Sequence, residues 1–563
     1  MNLKSYSKNV MLAFVATSLL AFGAGTASAQ KTKKQDTRPN FLFIVADDLG
    51  FSDLSSFGGE VKTPNLDNLA EQGVRFTNFY TAPTCSPARS MLLTGVDNHQ
   101  NGVGAMEEFI TAIEKSHPEI NDMPGYKGYL NNSVVTMAQM LKDNGYDTYM
   151  AGKWHLGKKP GSWPVDKGFG KSMALLEGGA TQLGQPRPMM APPYTATLVE
   201  NDKKVTVGDD WYSSTGFTNY LLKYLKEGEN DGKPFLAYLA FQATHDPLQV
   251  PKKYSDKYKG DFDKGYDVAR TETYQRMAKM GLISGTEPIG AKSYAKWTEL
   301  SPREKQRQAR SMEIYAGMLD CMDEQIGRVI EYLKESGQYE NTMIVFFSDN
   351  GAAADYLGEY GPMDDGPDTQ KKFIEENFDL SYENMGNANS MVSVGPGWAQ
   401  ASMVPFRLWK GTTAEGGIRT PTIIKWAGID QAKVGTIDTT AVGHILDFAP
   451  TLYQMLGLKY PATYNGNDIK PLAGTSMLPY LEGKSSTIND ALAWELHFMK
   501  GLRYKNWKLY WVDRDTDKGH WELYDLSNDA GETKDLSKQY PEVFEQMIKR
   551  YNDYKTKNKV LSL

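Results

Sequence analysis

The chain has 563 residues, of which 40% are hydrophobic and 23% charged, and Lys plus Arg number 62 against 69 Asp plus Glu, a net charge of −7. These are globular values for roughly two to four average domains, or one large α/β domain with an appendage, and they exclude a disordered chain. No long block of like charge occurs, so no nucleic-acid footprint or polybasic membrane patch is read, and an anionic ligand would have to be drawn in by local cations.

At the N-terminus, Lys4 and Lys8 precede the apolar run Val10 to Phe22, and Ala27-Ser28-Ala29 follows. This pattern reads as a signal peptide over residues 1–29 of Gram-negative type, with Gln30 as the new N-terminus. The expectation is therefore an exported protein, periplasmic or secreted, with no membrane span in the mature chain. The apolar run is too short to cross a bilayer comfortably.

After a polar leader, Asn40 to Ala46 is continuously apolar and stops at Asp47-Asp48. Such a run reads as a strand buried on both faces, and acidic residues at its C-terminal end fall where open α/β sheets place ligands. Thr342 to Ser348 repeats the pattern into Asp349-Asn350-Gly351. Phe235 to Phe241 soon meets His245, and the shorter run Asp147 to Ala151 leads into Gly152-Lys153-Trp154-His155. Helical periodicity lies between these runs, as over Val134 to Asn144 and Arg303 to Gly337. The alternation predicts a doubly wound, mostly parallel sheet flanked by helices in a catalytic domain spanning residues 30–458. The Pro/Gly/Asn-rich stretch Lys459 to Gly474 marks the boundary. Beyond it, Ala491 to Leu496, Trp507 to Val512 and Trp521 to Leu526 read as strands and Glu542 to Tyr554 as a helix. Residues 459–563 thus read as a smaller α+β subdomain with an antiparallel sheet.

The two cysteines, Cys85 and Cys321, differ in setting. Cys321 lies in a helical pattern and reads as a small buried hydrophobe. Cys85 opens Cys85-Ser86-Pro87-Ala88-Arg89, followed by Ser90-Met91-Leu92-Leu93-Thr94-Gly95. This segment resembles the C-x-P-x-R motif and following helix of the formylglycine-dependent sulfatases, members of the alkaline-phosphatase superfamily. Arg38-Pro39-Asn40 into Asp47-Asp48-Leu49-Gly50, Thr63-Pro64-Asn65-Leu66-Asp67, Gly152-Lys153-Trp154-His155-Leu156-Gly157 and Ser348-Asp349-Asn350-Gly351 follow the family's order. The resemblance runs from about Arg38 to the C-terminus and looks closest to bacterial arylsulfatases.

The resemblance implies that a maturase oxidises Cys85 to Cα-formylglycine and that the chain hydrolyses sulfate monoesters through a covalent sulfo-enzyme. It implies one calcium ion on Asp47, Asp48, Asp349, Asn350 and residue 85, consistent with hard oxygen ligands at strand ends. It further implies Asp349 as the base toward the attacking hydroxyl, His245 with Lys410 as the acid toward the leaving alcohol, and His155 as the base that releases sulfate. Arg89 positions residue 85 and the metal shell, and Lys153 meets the sulfate oxygens. The partner it implies is a small-molecule or glycan sulfate ester. His99, His117, His444, His497 and His520 are expected in structural or surface positions. The stretch Ala352 to Ala401 is expected to form loops over the pocket. Two alternatives stay open: a phosphoester or phosphonate hydrolase, and a catalytically inactive binder of sulfated glycans.

Overall fold

The computed structural model describes residues 36–561 apart from 230, 287, 292–293, 356–365 and 513–518. The signal peptide expected over residues 1–29 lies outside the described residues.

Among the described residues, ten strands form one sheet: β1 (Asn40–Ala46), β2 (Val74–Phe76), β3 (Asp147–Lys153), β4 (Lys171–Leu175), β5 (Leu198–Glu200), β6 (Lys203–Val205), β7 (Phe235–Ala240), β8 (Thr342–Ser348), β9 (Thr422–Lys425) and β10 (Ile437–Asp438). Their order is β10-β2-β9-β8-β1-β7-β3-β4-β5-β6. The central five, β8 to β4, run parallel, while β9, β5 and β6 join antiparallel. The four apolar runs singled out in the sequence are therefore the four adjacent strands β8-β1-β7-β3.

The alternation along β1 explains why this segment is apolar throughout. Phe41, Phe43 and Val45 enter one core cluster and Leu42, Ile44 and Ala46 the other, on opposite faces of the sheet. Parallel pairing places Ala46 opposite Ser348, Val45 opposite Ala240, and Gly152 opposite Ala240. That register brings the C-terminal ends of four strands to one edge, and each ends in residues with chemical capacity.

Helices cover both faces. On one side lie α1 (Pro64–Gln72) and the long α6 (Pro302–Glu335); on the other lie α2 (Cys85–Thr94), α4 (Met137–Asp143) and α9 (Phe448–Leu456), whose buried residues fill the second cluster. A short helix, α3 (Glu107–Ile113), follows α2, and α5 (Ser213–Gly228) packs beside α6. The long helix starts at a capping box, where Ser301 accepts from the Glu304 amide and the Glu304 side chain accepts from the Ser301 amide. Cys321 is fully buried within it, and both cysteines are free thiols.

The expectation of loops over 352–401 needs correction: the segment carries two helices, α7 (Gly366–Asn377) and α8 (Gly395–Ser402). Its polar Gly/Asn/Asp-rich composition concealed the short helical stretches, and Trp398 of α8 is buried against an aromatic cluster. The predicted helix over Val134 to Asn144 starts later, at Met137, because Thr136 caps it by accepting from the Gln139 amide.

The C-terminal part forms a separate antiparallel sheet in the order β11 (Ala491–Leu496), β12 (Met499–Tyr504), β13 (Trp507–Trp511) and β14 (Trp521–Asp525), followed by α10 (Pro541–Asn558). The strand Met499–Tyr504 is absent from the sequence reading, because its Lys500-Gly501 and Arg503 positions interrupt the apolar alternation. It pairs with β11 across a tight turn in which His497 and Phe498 both take positive φ, 51° and 70°.

Candidate active site

Helix α2 begins at Cys85, and every residue of the helix is buried. Arg89 follows one turn later, so the two side chains share a helix face. Arg89 Nε and Nη2 donate to Asp349 Oδ2 at 2.9 and 2.7 Å, and Nη1 donates to the Lys153 carbonyl at 2.9 Å. One guanidinium thus ties α2 to the ends of β8 and β3.

Strand β1 runs out into Asp47 and Asp48, and Asp48 turns with φ 62°. Lys153, last residue of β3, donates to both Asp47 oxygens at 2.9 and 2.7 Å. Gly152 before it has φ 126°, and a Cβ there would lie 1.7 Å from the Ala240 carbonyl oxygen. Only glycine permits that approach of β3 to β7. Lys410 arrives from the loop before β9 and donates to Asp48 Oδ2 at 2.7 Å. Asn350 Nδ2 donates to Asp48 Oδ1 at 2.7 Å, while Asn350 Oδ1 is buried without a hydrogen-bond partner among the described residues.

His245, in the loop after β7, has Nδ1 2.6 Å from the Asp246 carbonyl oxygen. A carbonyl only accepts, so Nδ1 carries a proton and Nε2, 3.5 Å from Asp48 Oδ2, faces the site. His155 has φ 55° and lies past the end of β3, with Nε2 3.2 Å from Glu108 Oε2. Lys153 turns to Asp47 and His155 to the cavity wall.

Electrostatics follow from this geometry. Burial opposes ionisation of Asp48, but Lys410, His245 and Lys153 reverse that effect and hold its carboxyl well below the usual range. Burial likewise works against charge on His245, and Asp48 overrides it, pushing the imidazole up to about 9. Burial disfavours an anion at Cys85, yet Lys153 and Lys410 bring its thiol far below its ordinary value. The position therefore stabilises a negative charge on residue 85, aided by the N-terminus of α2. Asp349 moves the other way: burial raises it, with Arg89 opposing.

Ligand atoms of Asp47, Asp48, Cys85 and His245 all lie within 4.8 Å of one another. Asp349 and Asn350 adjoin this group through Asp48, whose amide lies 3.4 Å from Asp349 Oδ1. A hard cation fits here: three carboxylates and the partnerless amide oxygen of Asn350 converge at one strand edge. The tight grouping includes His245, which the sequence reading assigned to proton transfer alone. The three carboxylates face three fixed cations, Arg89, Lys153 and Lys410, so a divalent ion would leave the pocket positive toward an anionic substrate.

Above this floor opens a cavity of about 330 Å³. Its outer wall is largely apolar, with Met106, Phe109, Met189, Met190 and Tyr194. Glu108, Asp246 and Asp355 also line it, and burial pushes Asp355 up to about 6. His497 corrects an expectation: it lines the cavity and stacks on Phe109 with ring centroids 3.9 Å apart. It reaches the site because the β11–β12 turn projects toward α3. Neither His497 nor Glu108 carries a sequence signal, since each arrives from outside the strand-end pattern.

A buried cysteine at a helix start, ringed by carboxylates and two lysines below a cleft, is suited to gripping and cleaving an ester of a tetrahedral oxyanion. The family model for Sulfatase matches residues 39–458, and that for N-sulphoglucosamine sulphohydrolase, C-terminal, matches residues 409–557. The chain belongs to the sulfatase family and is a sulfuric ester hydrolase. It is 39% identical over 542 residues to an uncharacterized sulfatase of Schizosaccharomyces pombe, covering 94% of this chain and 95% of the relative. It is 38% identical over 476 residues to an arylsulfatase of Klebsiella aerogenes, covering 84% and 96%. Among solved structures, Ps i-CgsB in complex with k-i-k-neocarrahexaose superposes with a TM-score of 0.63 at 22% identity, covering 93% of this chain and 94% of that one. This last likeness shows the shared alkaline-phosphatase-like fold.

Proposed function

We propose that the chain hydrolyses aryl-type sulfate monoesters through a covalent sulfo-enzyme at residue 85, matured from Cys85 to formylglycine, on a calcium ion held by Asp47, Asp48, Asp349 and Asn350 with residue 85. The observation that carries this reading is the placement of Cys85 at the head of α2, within 4.8 Å of Asp47, Asp48 and His245. Calcium bound there would supply Lewis-acid polarisation of the substrate's oxygens.

The chain's own residues divide the remaining work. Lys153 and Lys410 neutralise the sulfate oxygens, which otherwise repel a nucleophile. Asp349, raised by burial, accepts the proton of the attacking hydroxyl on residue 85. His245 Nε2 donates to the leaving oxygen, supported by its imidazolium character beside Asp48. His155 takes the proton whose removal releases sulfate and restores the aldehyde. Arg89 holds Asp349 in place throughout. An unmodified serine at residue 85 would lack the second hydroxyl that drives this release, which is the chemical reason for the modification.

The apolar wall of Met106, Phe109, Met189, Met190 and Tyr194 supports an aromatic leaving group, as does the likeness to an arylsulfatase. We assign residues 30–458 to the catalytic domain and 459–563 to the C-terminal subdomain, and read the chain as exported after cleavage behind Ala29. N-terminal sequencing of protein from the native host tests the cleavage: a start at Met1 would refute it. Among the described residues no helix is long and apolar enough to cross a membrane.

Peptide mass spectrometry across Thr84 to Arg89 on native protein tests the central claim, since conversion of the thiol to an aldehyde removes about 18 Da. An intact thiol in protein that turns over sulfate esters would sink it. Cys85→Ala should retain the fold and lose turnover; matched sulfate and phosphate esters then separate the sulfatase from a phosphoester hydrolase.

A further inference from the structure

Glu108 reaches the site from the first turn of α3, with its side chain 19% exposed at the cavity edge. Its carboxylate only accepts hydrogen bonds, so the 3.2 Å contact with His155 Nε2 requires the ring proton on Nε2. In the neutral ring, Nδ1 is then the basic nitrogen. Nδ1 is buried with no hydrogen-bond partner among the described residues. His155 and Cys85 line the same cavity. The ring has little freedom to turn: a Cβ on Gly178 would lie 2.4 Å from His155 Cε1, so the imidazole is packed flat against backbone.

We propose that Glu108 is a positioning residue that locks His155 in the Nε2–H tautomer, leaving Nδ1 as the proton acceptor toward residue 85 in the sulfate-releasing step. This rests on the formylglycine reading above. In that step Nδ1 takes the proton of the free hydroxyl on residue 85. The carbon–oxygen bond to the sulfate group breaks, its electron pair leaves on sulfate, and the freed oxygen becomes the aldehyde oxygen. No oxidant or reductant enters. Glu108 faces the imidazolium thus formed and stabilises its charge, the arrangement in which outer partners of a functional histidine act. The role is confined to the second half-reaction, because transfer of the sulfuryl group to residue 85 uses Asp349 and His245 instead.

That confinement makes the test sharp. For Glu108→Ala, kcat should fall roughly 100-fold with KM falling in parallel, so that kcat/KM for an aryl sulfate stays within about twofold. Rapid-quench assays should show a burst of about one phenol per formylglycine, and the residue-85 peptide should gain about 98 Da over its aldehyde form (about 80 over the hydrate) as the sulfo-enzyme accumulates. Glu108→Gln, which keeps a neutral acceptor of the same shape, should recover about tenfold of the lost kcat. A second readout is independent of turnover: nitrogen-15 NMR of the His155 ring in the Cys85→Ala protein should report Nε2–H, and Glu108→Ala in that background should lose it. Loss of kcat/KM together with kcat and no burst would overturn the proposal by placing Glu108 in substrate binding. Unchanged kcat, or Nδ1–H in the parent, would also overturn it. Absence of the aldehyde in active wild-type protein would refute the parent reading, whereas the NMR result stands apart from it.

Discussion

Replacing His99 with glutamine should weaken the fold in a manner that depends on pH. His99 follows α2, and its side chain is fully buried. Its Nδ1 lies 3.0 Å from Asp97 Oδ1 and its Nε2 2.8 Å from Glu495 Oε2 at the end of β11, so one imidazolium joins the catalytic sheet's helix layer to the C-terminal sheet. Tyr126 and Tyr554 pack edge-on around the ring, and Tyr554 Oη donates to Asp97 Oδ2 at 3.1 Å. A neutral ring can donate to one carboxylate only. Burial opposes the charge, but the two carboxylates override it and push His99 up to about 9. Against about 6.5 in the unfolded chain, a raised value of this size corresponds to about 3 kcal/mol. Because the folded value lies above the unfolded one, this stabilisation is complete below about pH 6.5 and drains away as pH rises through about 9. Asp97, lowered by its hydrogen bond to His99 against burial, titrates far below this window and adds no slope within it. For a unit of this size, about 1 kcal/mol accompanies each degree of Tm, so the gap between wild type and His99→Gln should be about 3 °C at pH 6. Scanning calorimetry of both proteins at pH 6, 7.5 and 9.5 measures it, and other titrations cancel in the difference. A gap that stays constant to pH 9.5 would refute the charged bridge.

Two further outcomes follow from the floor of the site. Protein stripped of divalent metal, checked by elemental analysis, should lose turnover and regain it on adding calcium; full turnover of the stripped protein would rule out the metal assignment. In metal-free protein Lys153→Ala leaves buried Asp47 with Arg89 Nη2 at 3.4 Å as its remaining cation, which should cost up to about 3 kcal/mol in denaturant unfolding as well as turnover. Unchanged stability would show that Asp47 is compensated by something other than Lys153.

The strands and their polar endings were legible because a strand buried on both faces must be apolar at every position, and a run such as Phe41 to Ala46 has little alternative. The C-x-P-x-R segment was legible because Cys85 and Arg89, four residues apart on one helix, form a local pattern. Met499–Tyr504 was not, since its buried Arg503 finds polar partners, Asn78 and Tyr80, only through distant packing. The turn at His155 was not legible, because a positive φ at a non-glycine residue leaves no mark in composition. Glu108 and His497 were invisible for a different reason. Each is brought to the cavity by long-range packing of α3 and the β11–β12 turn, and nothing near either residue signals that destination.

What the sequence by itself determined is the inventory of polar groups: Asp47, Asp48, Lys153, Asp349 and Asn350 at the ends of parallel strands, and Cys85 with Arg89 on one helix. Local rules suffice there, because burial and helix periodicity act within a few residues. What only the tertiary structure decided is the pairing of charges and the orientation of rings: Arg89 on Asp349, Lys410 on Asp48, Glu108 on His155. Those partners stand up to 362 residues apart in the chain. Coulomb and hydrogen-bond energies depend on separations of a few ångström, which the packing of distant segments sets and no local pattern encodes.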